Sequence, residues 1–237
     1  MTVFTPIGLS ALHHTHIALN AHMAERFGWQ QPTYYTSADK EAETVRSGVG
    51  ISDIGPLGKV LLHGEIDRYL LNGLKQEGVT EVGNVALMRF TEDSGIGDIH
   101  MARLAHDEAI LITEPNQAQA VDGIMADVGE ICAHAVDITS VMIGIRLIGP
   151  SAPRILGSVT ELNTDPRYFV NMSCTQGNIS QVHGTLIRYD LADLPSYDIY
   201  VDRSYGKYIW ETLIEAGHRF KIIPVGIDSL SILKRSM

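Results

Sequence analysis

The chain has 237 residues, 45% hydrophobic and 19% charged, and its 18 Lys+Arg against 28 Asp+Glu give a formal charge of −10. That length can bury a sizeable core in one large domain or two small ones, and ordinary glycine and proline with low charge exclude a disordered chain or a coiled coil. The acidic balance disfavours a nucleic-acid partner, which needs Lys and Arg at phosphates, and no apolar run is long enough to span a membrane.

In chain order, residues 9–27 read as an amphipathic helix, with Leu9, Leu12, Ile17, Leu19 and Met23 as its stripe and Gly28 as its stop. A second helix is expected over 38–47. A strand at 59–64 leads into a helix at 65–74, and the same plan recurs at 144–149 with 150–157. It recurs again at 197–201 with 202–216, where Asp202 or Ser204 is the expected cap. Shorter strands are predicted at 86–90, 98–104, 109–113, 132–138 and 180–188, and a helix at 117–128. Strand runs interspersed with strand–helix units predict an α+β fold with mainly antiparallel sheets.

Several familiar active sites are absent: there is no GxxxxGK[ST] phosphate loop, no HExxH and no GxSxG elbow. Gly48-Val-Gly50 begins like a dinucleotide loop, but its third glycine comes late. Cys132 and Cys174 are too few for a disulfide framework, and the N-terminus has no signal-peptide pattern, so a cytoplasmic location is expected. His13 and His16 share a helix face, with His22 nearby. No carboxylate or cysteine stands at ligand spacing, so no metal is expected and the histidines are read as solvent-facing or at a pocket rim. Residues 48–58 and 92–100 concentrate glycine and aspartate. They are either ligand-facing loops, where glycine admits close approach, or tight turns with surface aspartates.

These stretches carry a resemblance. Phe27-Gly-Trp29 with Pro32, Arg46 through Gly58 (keeping Gly50 and Asp53), and Leu147-Ile-Gly-Pro150 with Ala152 and Leu156 follow one family pattern. Tyr197-Asp-Ile-Tyr-Val201, Trp210 through Gly217, and Pro224-Val-Gly226 continue it in order. Together they resemble the aminomethyltransferase (glycine cleavage T-protein) family and the folate-binding domains of related amine-oxidising enzymes and demethylases. The resemblance implies two intertwined α+β lobes over residues 1–237 enclosing a central hole for tetrahydrofolate. It also implies transfer of an aminomethyl or methyl group to that folate from a small substrate. Asp98 matches the family's positioning acid and is the implied catalytic residue, the neighbouring acid having become Gly97. Asp53, Leu57, Arg188, Asp193 and Tyr197 are the implied cofactor contacts.

Departures accompany the match. Aligning back from Tyr197 puts Leu194 at the glutamate that binds the pterin edge, with Asp193 as its substitute and Asp190 as a weaker one. A carboxylate is what paired N–H donors require. Val85 stands for a tyrosine, Pro56 and Leu57 for a histidine and a methionine, and Leu230 for an arginine. The KGCYxGQE motif of iron–sulfur-assembly relatives is not matched around Cys174. The chain stops where the family continues into a C-terminal β-rich domain, expected to be absent here or supplied by a partner subunit. The alternative expectation is a non-catalytic subunit of a heteromeric amine oxidase or demethylase.

Overall fold

The computed structural model describes residues 7–66, 81–92, 95–115 and 133–235. The expected helices at 65–74 (beyond Ile66) and 117–128, and Cys132, lie outside the described residues.

The first expected helix divides in two. Only α1 (His13–Ala18) is helical; β1 (Gly8–Leu9) precedes it and β2 (His22–Arg26) follows. Asn20, at φ +56°, stops the helix in the left-handed region, one of the few places where a non-glycine residue turns this way. Of the predicted stripe only Leu12 is fully buried, whereas Leu9, Ile17 and Leu19 are exposed. Phe27 and Gly28, both at positive φ, form the two-residue turn between β2 and β3 (Trp29–Tyr34), as a tight hairpin demands. α2 (Ala38–Ser47) forms as expected, with the Ser37 hydroxyl accepting from the Lys40 amide.

The glycine-rich stretch after α2 hides a strand, β4 (Gly50–Asp53), followed by β5 (Gly58–Gly64). Then come β6 (Val85–Glu92), β7 (Gly95–Arg103), β8 (Glu108–Thr113), β9 (Ala133–Asp137) and β10 (Met142–Ile148). α3 (Ala152–Val159) starts with a proline in its first turn, where no amide donor is needed. The expected strand at 180–188 is half of a hairpin, β11 (Ser173–Ile179) with β12 (Val182–Arg188). β13 (Ser196–Asp202) leads through a single 3₁₀ turn, capped by Asp202, into α4 (Gly206–Gly217). β14 (Ile223–Pro224) and α5 (Ile227–Arg235) complete the described chain.

These strands make a six-stranded sheet in the order β11-β12-β13-β10-β4-β14, a five-stranded sheet β6-β7-β8-β5-β9, and a small sheet β1-β3-β2. Pairing is antiparallel except at β4–β14 and β1–β3. One core lies between the six-stranded sheet and its helices, where Ile145, Leu147, Tyr197, Ile199 and Val201 meet Ile155, Trp210 and Leu213. A second core, with Val45, Ile110, Ile112, Ile187, Tyr200 and Leu233, lies on the opposite side. Residues 54–57 join the two large sheets directly from β4 to β5. On the other side, the amides of Val85 and Cys174 donate to Met172 (2.8 Å) and Gly83 (2.7 Å) and stitch β6 to β11. Closed at both sides, the sheets enclose a space.

Candidate functional site

Successive side chains of a strand point to opposite faces, and this alternation builds the site. On β13, Tyr197, Ile199 and Val201 face the helix-covered core, which leaves Asp198 and Tyr200 for the enclosed space. On β10, Ile145 and Leu147 are core and Arg146 faces the same space; on β12 it is Ile187. β7 and β8 add His100, Ile112 and Thr113, and α5 adds Leu230 and Lys234. The cavity has a volume of about 340 Å³, at the small end of ordinary ligand sites.

Its charged groups are organised in pairs. Arg146 and Asp198 are opposite residues in the β10–β13 register, and both are nearly fully buried. The guanidinium donates from Nε to Oδ1 at 2.6 Å and from a terminal nitrogen to Oδ2 at 2.7 Å, a two-point fork. The Tyr200 hydroxyl lies 3.4 Å from Asp198 Oδ2, and burial together with that carboxylate holds the phenol well above its usual pKa. At the α5 side, Lys234 donates to Glu114 at 2.7 Å. Burial pushes the Glu114 carboxyl up, but Lys234 and, behind it, Arg146 and His100 outweigh that and leave it below the usual range. The His100 and Tyr189 rings meet edge to face at 4.1 Å. The Thr113 hydroxyl, in the cavity wall, is buried with no partner among the described residues.

The expected site residues separate. Leu57 lines the cavity, beside Pro56. Asp53 reaches the cavity wall, but its register partner Ile145 is a core residue, and its carboxylate turns to that helix-covered face. There it accepts from the Ser10 hydroxyl, the Gly55 amide (2.8 Å) and His16 Nε2 (2.9 Å), while His16 Nδ1 meets the Tyr35 hydroxyl at 2.8 Å. Asp53 therefore fastens the N-terminal segment to β4. His16 is wholly buried against Trp210, contrary to its reading as a solvent or rim histidine. No cluster of three or more His, Cys, Asp or Glu suited to a metal occurs among the described residues.

Arg188 and Tyr197 are register partners on β12 and β13 and share the face away from the cavity, so neither is among its lining residues. Arg188 forks onto Asp190 (2.9 and 2.8 Å) and donates to the Phe169 carbonyl at 2.6 Å, tying down the segment before β11. Tyr197 is fully buried beside Phe169. Asp193 is exposed at the tip of a tight turn closed by mutual backbone bonds between Leu191 and Leu194, which point inward instead. It does not supply the missing acid. Asp98 falls on β7, opposite Arg89 and two residues before His100; its side chain lies outside the described residues.

The residue that sequence reasoning passed over is Asp198. It stands inside the motif Tyr197-Asp-Ile-Tyr-Val201, yet the alignment directed attention to Leu194. The signal was present: Asp198 inside one apolar run and Arg146 inside another each need a partner when both strands are buried.

The wider comparisons agree with this architecture. The family model described as the GCVT N-terminal domain matches residues 12–236. An aminomethyltransferase of Streptomyces avermitilis is 27% identical over 232 residues, covering 95% of this chain and 61% of the relative. Sarcosine oxidase subunit alpha of a Corynebacterium strain is 23% identical over 248 residues, with 97% of this chain matched to 26% of the relative. Among solved structures, glycine cleavage system aminomethyltransferase T from Bartonella henselae superposes with a TM-score of 0.83 at 18% identity, covering 96% of this chain and 62% of that one. The chain thus spans about three-fifths of the aminomethyltransferases it matches. The α+β fold with mostly antiparallel sheets stands as expected, and the chain belongs to the GCVT N-terminal domain family.

Proposed function

We propose that this chain takes tetrahydrofolate into the cavity between its two large sheets and serves the transfer of an aminomethyl or methyl group to it. The observation that supports the reading is Asp198, a buried carboxylate in the wall of a cavity of about 340 Å³. A reduced pterin presents paired N–H donors along one edge, and a carboxylate is the acceptor that matches them. Leu57, Ile112 and Leu230 offer apolar walls to its ring faces. A bound tetrahydrofolate would supply the nucleophilic nitrogen that receives the one-carbon unit. The chain's own contribution would be to orient the ligand through Asp198, to exclude water between the sheets, and to position the incoming group through Asp98. The donor is a small methylated or aminomethyl-bearing compound, and the setting is cytoplasmic, where a free thiol such as Cys174 persists.

Isothermal titration of the purified protein with tetrahydrofolate tests the reading. Binding is expected, and Asp98→Asn should abolish transfer while leaving binding intact. Absence of folate binding would favour the second reading, a non-catalytic subunit of a heteromeric amine oxidase or demethylase. Buried Leu194 and Val85, with Leu230 in the wall, favour that alternative. It predicts co-purification of a partner subunit.

A further inference from the structure

We propose that Arg146 stands in for the ligand: its guanidinium caps Asp198 in the same two-point pattern that the amino-pyrimidine edge of a reduced folate would use, so folate enters only by displacing it. The inference rests on the folate reading above. Two parallel N–H donors, from Nε and one terminal nitrogen, reach both carboxylate oxygens at 2.6 and 2.7 Å. A planar fork of this kind fills the face of the carboxylate that a second planar fork would need. The protein side chain and the ligand edge are therefore alternatives on one acceptor.

The setting separates this pair from an ordinary structural ion pair. Arg146 and Asp198 sit directly across from each other, yet both line the cavity rather than the packed core behind the sheet. Their flanking residues Ile145, Leu147, Tyr197 and Ile199 do the packing on the other face. A buried ion pair adds little stability beyond what apolar residues of similar size would give, so packing alone does not call for one here. A second carboxylate acts on Arg146. Glu114 stands in the same wall, bound to Lys234 and about half exposed, and it and Arg146 act electrostatically on each other. On displacement Asp198 exchanges one fork for another.

Isothermal titration with tetrahydrofolate under reducing conditions tests the exchange on the wild type, Arg146→Met, Arg146→Lys and the double variant Arg146→Met with Asp198→Asn. Removing the competing fork should tighten binding about tenfold or more in Arg146→Met. Arg146→Lys keeps the charge but not the fork and should fall between, and the double variant should lose the gain. A purely structural role would lower the melting temperature of the Arg146 variants without tightening binding. Wild-type binding with Arg146→Met equal or weaker overturns the inference and leaves the folate reading standing. If Arg146→Met does not fold, Arg146→Lys decides, and no gain there overturns the inference. Absence of binding by the wild type and by every folded Arg146 variant sinks the folate reading and the inference with it.

Discussion

His16 and Asp53 are bound at 2.9 Å across 37 positions of the sequence, and both are buried to the last few per cent of their surface. With Ser10 and Tyr35 they form one continuous hydrogen-bonded chain from β1's border to the end of β3. Replacing His16 by Leu strips a donor from a buried carboxylate and an acceptor from a buried phenol. The expected cost is about 3 kcal/mol in urea-unfolding free energy. His16→Gln, which can return a donor near the Nε2 position, should recover part of it. Equal losses in the two variants would mean that volume rather than the hydrogen bond matters.

Arg188 faces away from the cavity and ties Asp190 to the carbonyl of Phe169. Arg188→Met should therefore lower stability by about 3 kcal/mol and leave tetrahydrofolate affinity within twofold of the wild type. Parallel chemical denaturation and titration would measure both. A large affinity loss at unchanged stability would return Arg188 to the binding site.

Two glycines of the family-like stretches should respond very differently to alanine. A Cβ on Gly226 would lie 2.1 Å from the Thr33 carbonyl oxygen, so Gly226→Ala must push backbone apart and should abolish soluble expression or cost well over 3 kcal/mol. Gly28, at φ +76° in the β2–β3 turn, has open space around it and pays only for its backbone conformation. Gly28→Ala should cost about 1 kcal/mol. Thermal melts of the two proteins make the comparison.

Lys59 is fully buried, and its ammonium donates to the carbonyls of Gly55 (2.7 Å) and Leu57 (2.6 Å) in the segment joining the two sheets. Burial brings its pKa down to about 8, against the opposing pull of Asp53 and Asp137. The unfolded chain holds this proton up to about pH 10.4, so between pH 8 and 10 it binds more protons than the folded chain. Stability should rise with pH through that window, by at most about 1.4 kcal/mol per unit from this group. Lys59→Met should flatten the rise, as urea titrations at several pH values would show. An unchanged slope in the variant would remove Lys59 as its source.

Burial also pushes the Cys174 thiol up to about 12. In a Cys132→Ser background, alkylation by iodoacetamide at pH 8 should proceed only as fast as the protein opens, and urea should accelerate it strongly. Rapid labelling of the folded protein would contradict the burial.

What could be read from the sequence was the part governed by short-range pattern. β5, β8, β10 and β13 are apolar runs bounded by turns, and they fold where expected. The segment 9–27 misled because its leucines and isoleucines fall at helical spacing by chance; Asn20 reverses the chain, and a turn at Phe27-Gly28 rather than a helix stop explains the glycine. β4 was hidden because its glycine is selected for space: a Cβ on Gly50 would meet Val45 at 2.7 Å. Arg188 and Tyr197 looked like ligand contacts because they sit in recognisable stretches. Which face of a strand a residue takes depends on its register with strands far away in sequence, and that decided against them. Asp198 was passed over because the family pattern pointed to Leu194 instead.

The alternation along β13 has an evolutionary corollary. Neighbouring codons in this strand answer to unrelated demands: Tyr197, Ile199 and Val201 to the fit of helices behind the sheet, Asp198 and Tyr200 to whatever occupies the space in front. Selection can rewrite the second set while the first stays fixed. One lineage could thus pass from one ligand to another through every other position of a single strand, with its fold, and its family likeness, undisturbed.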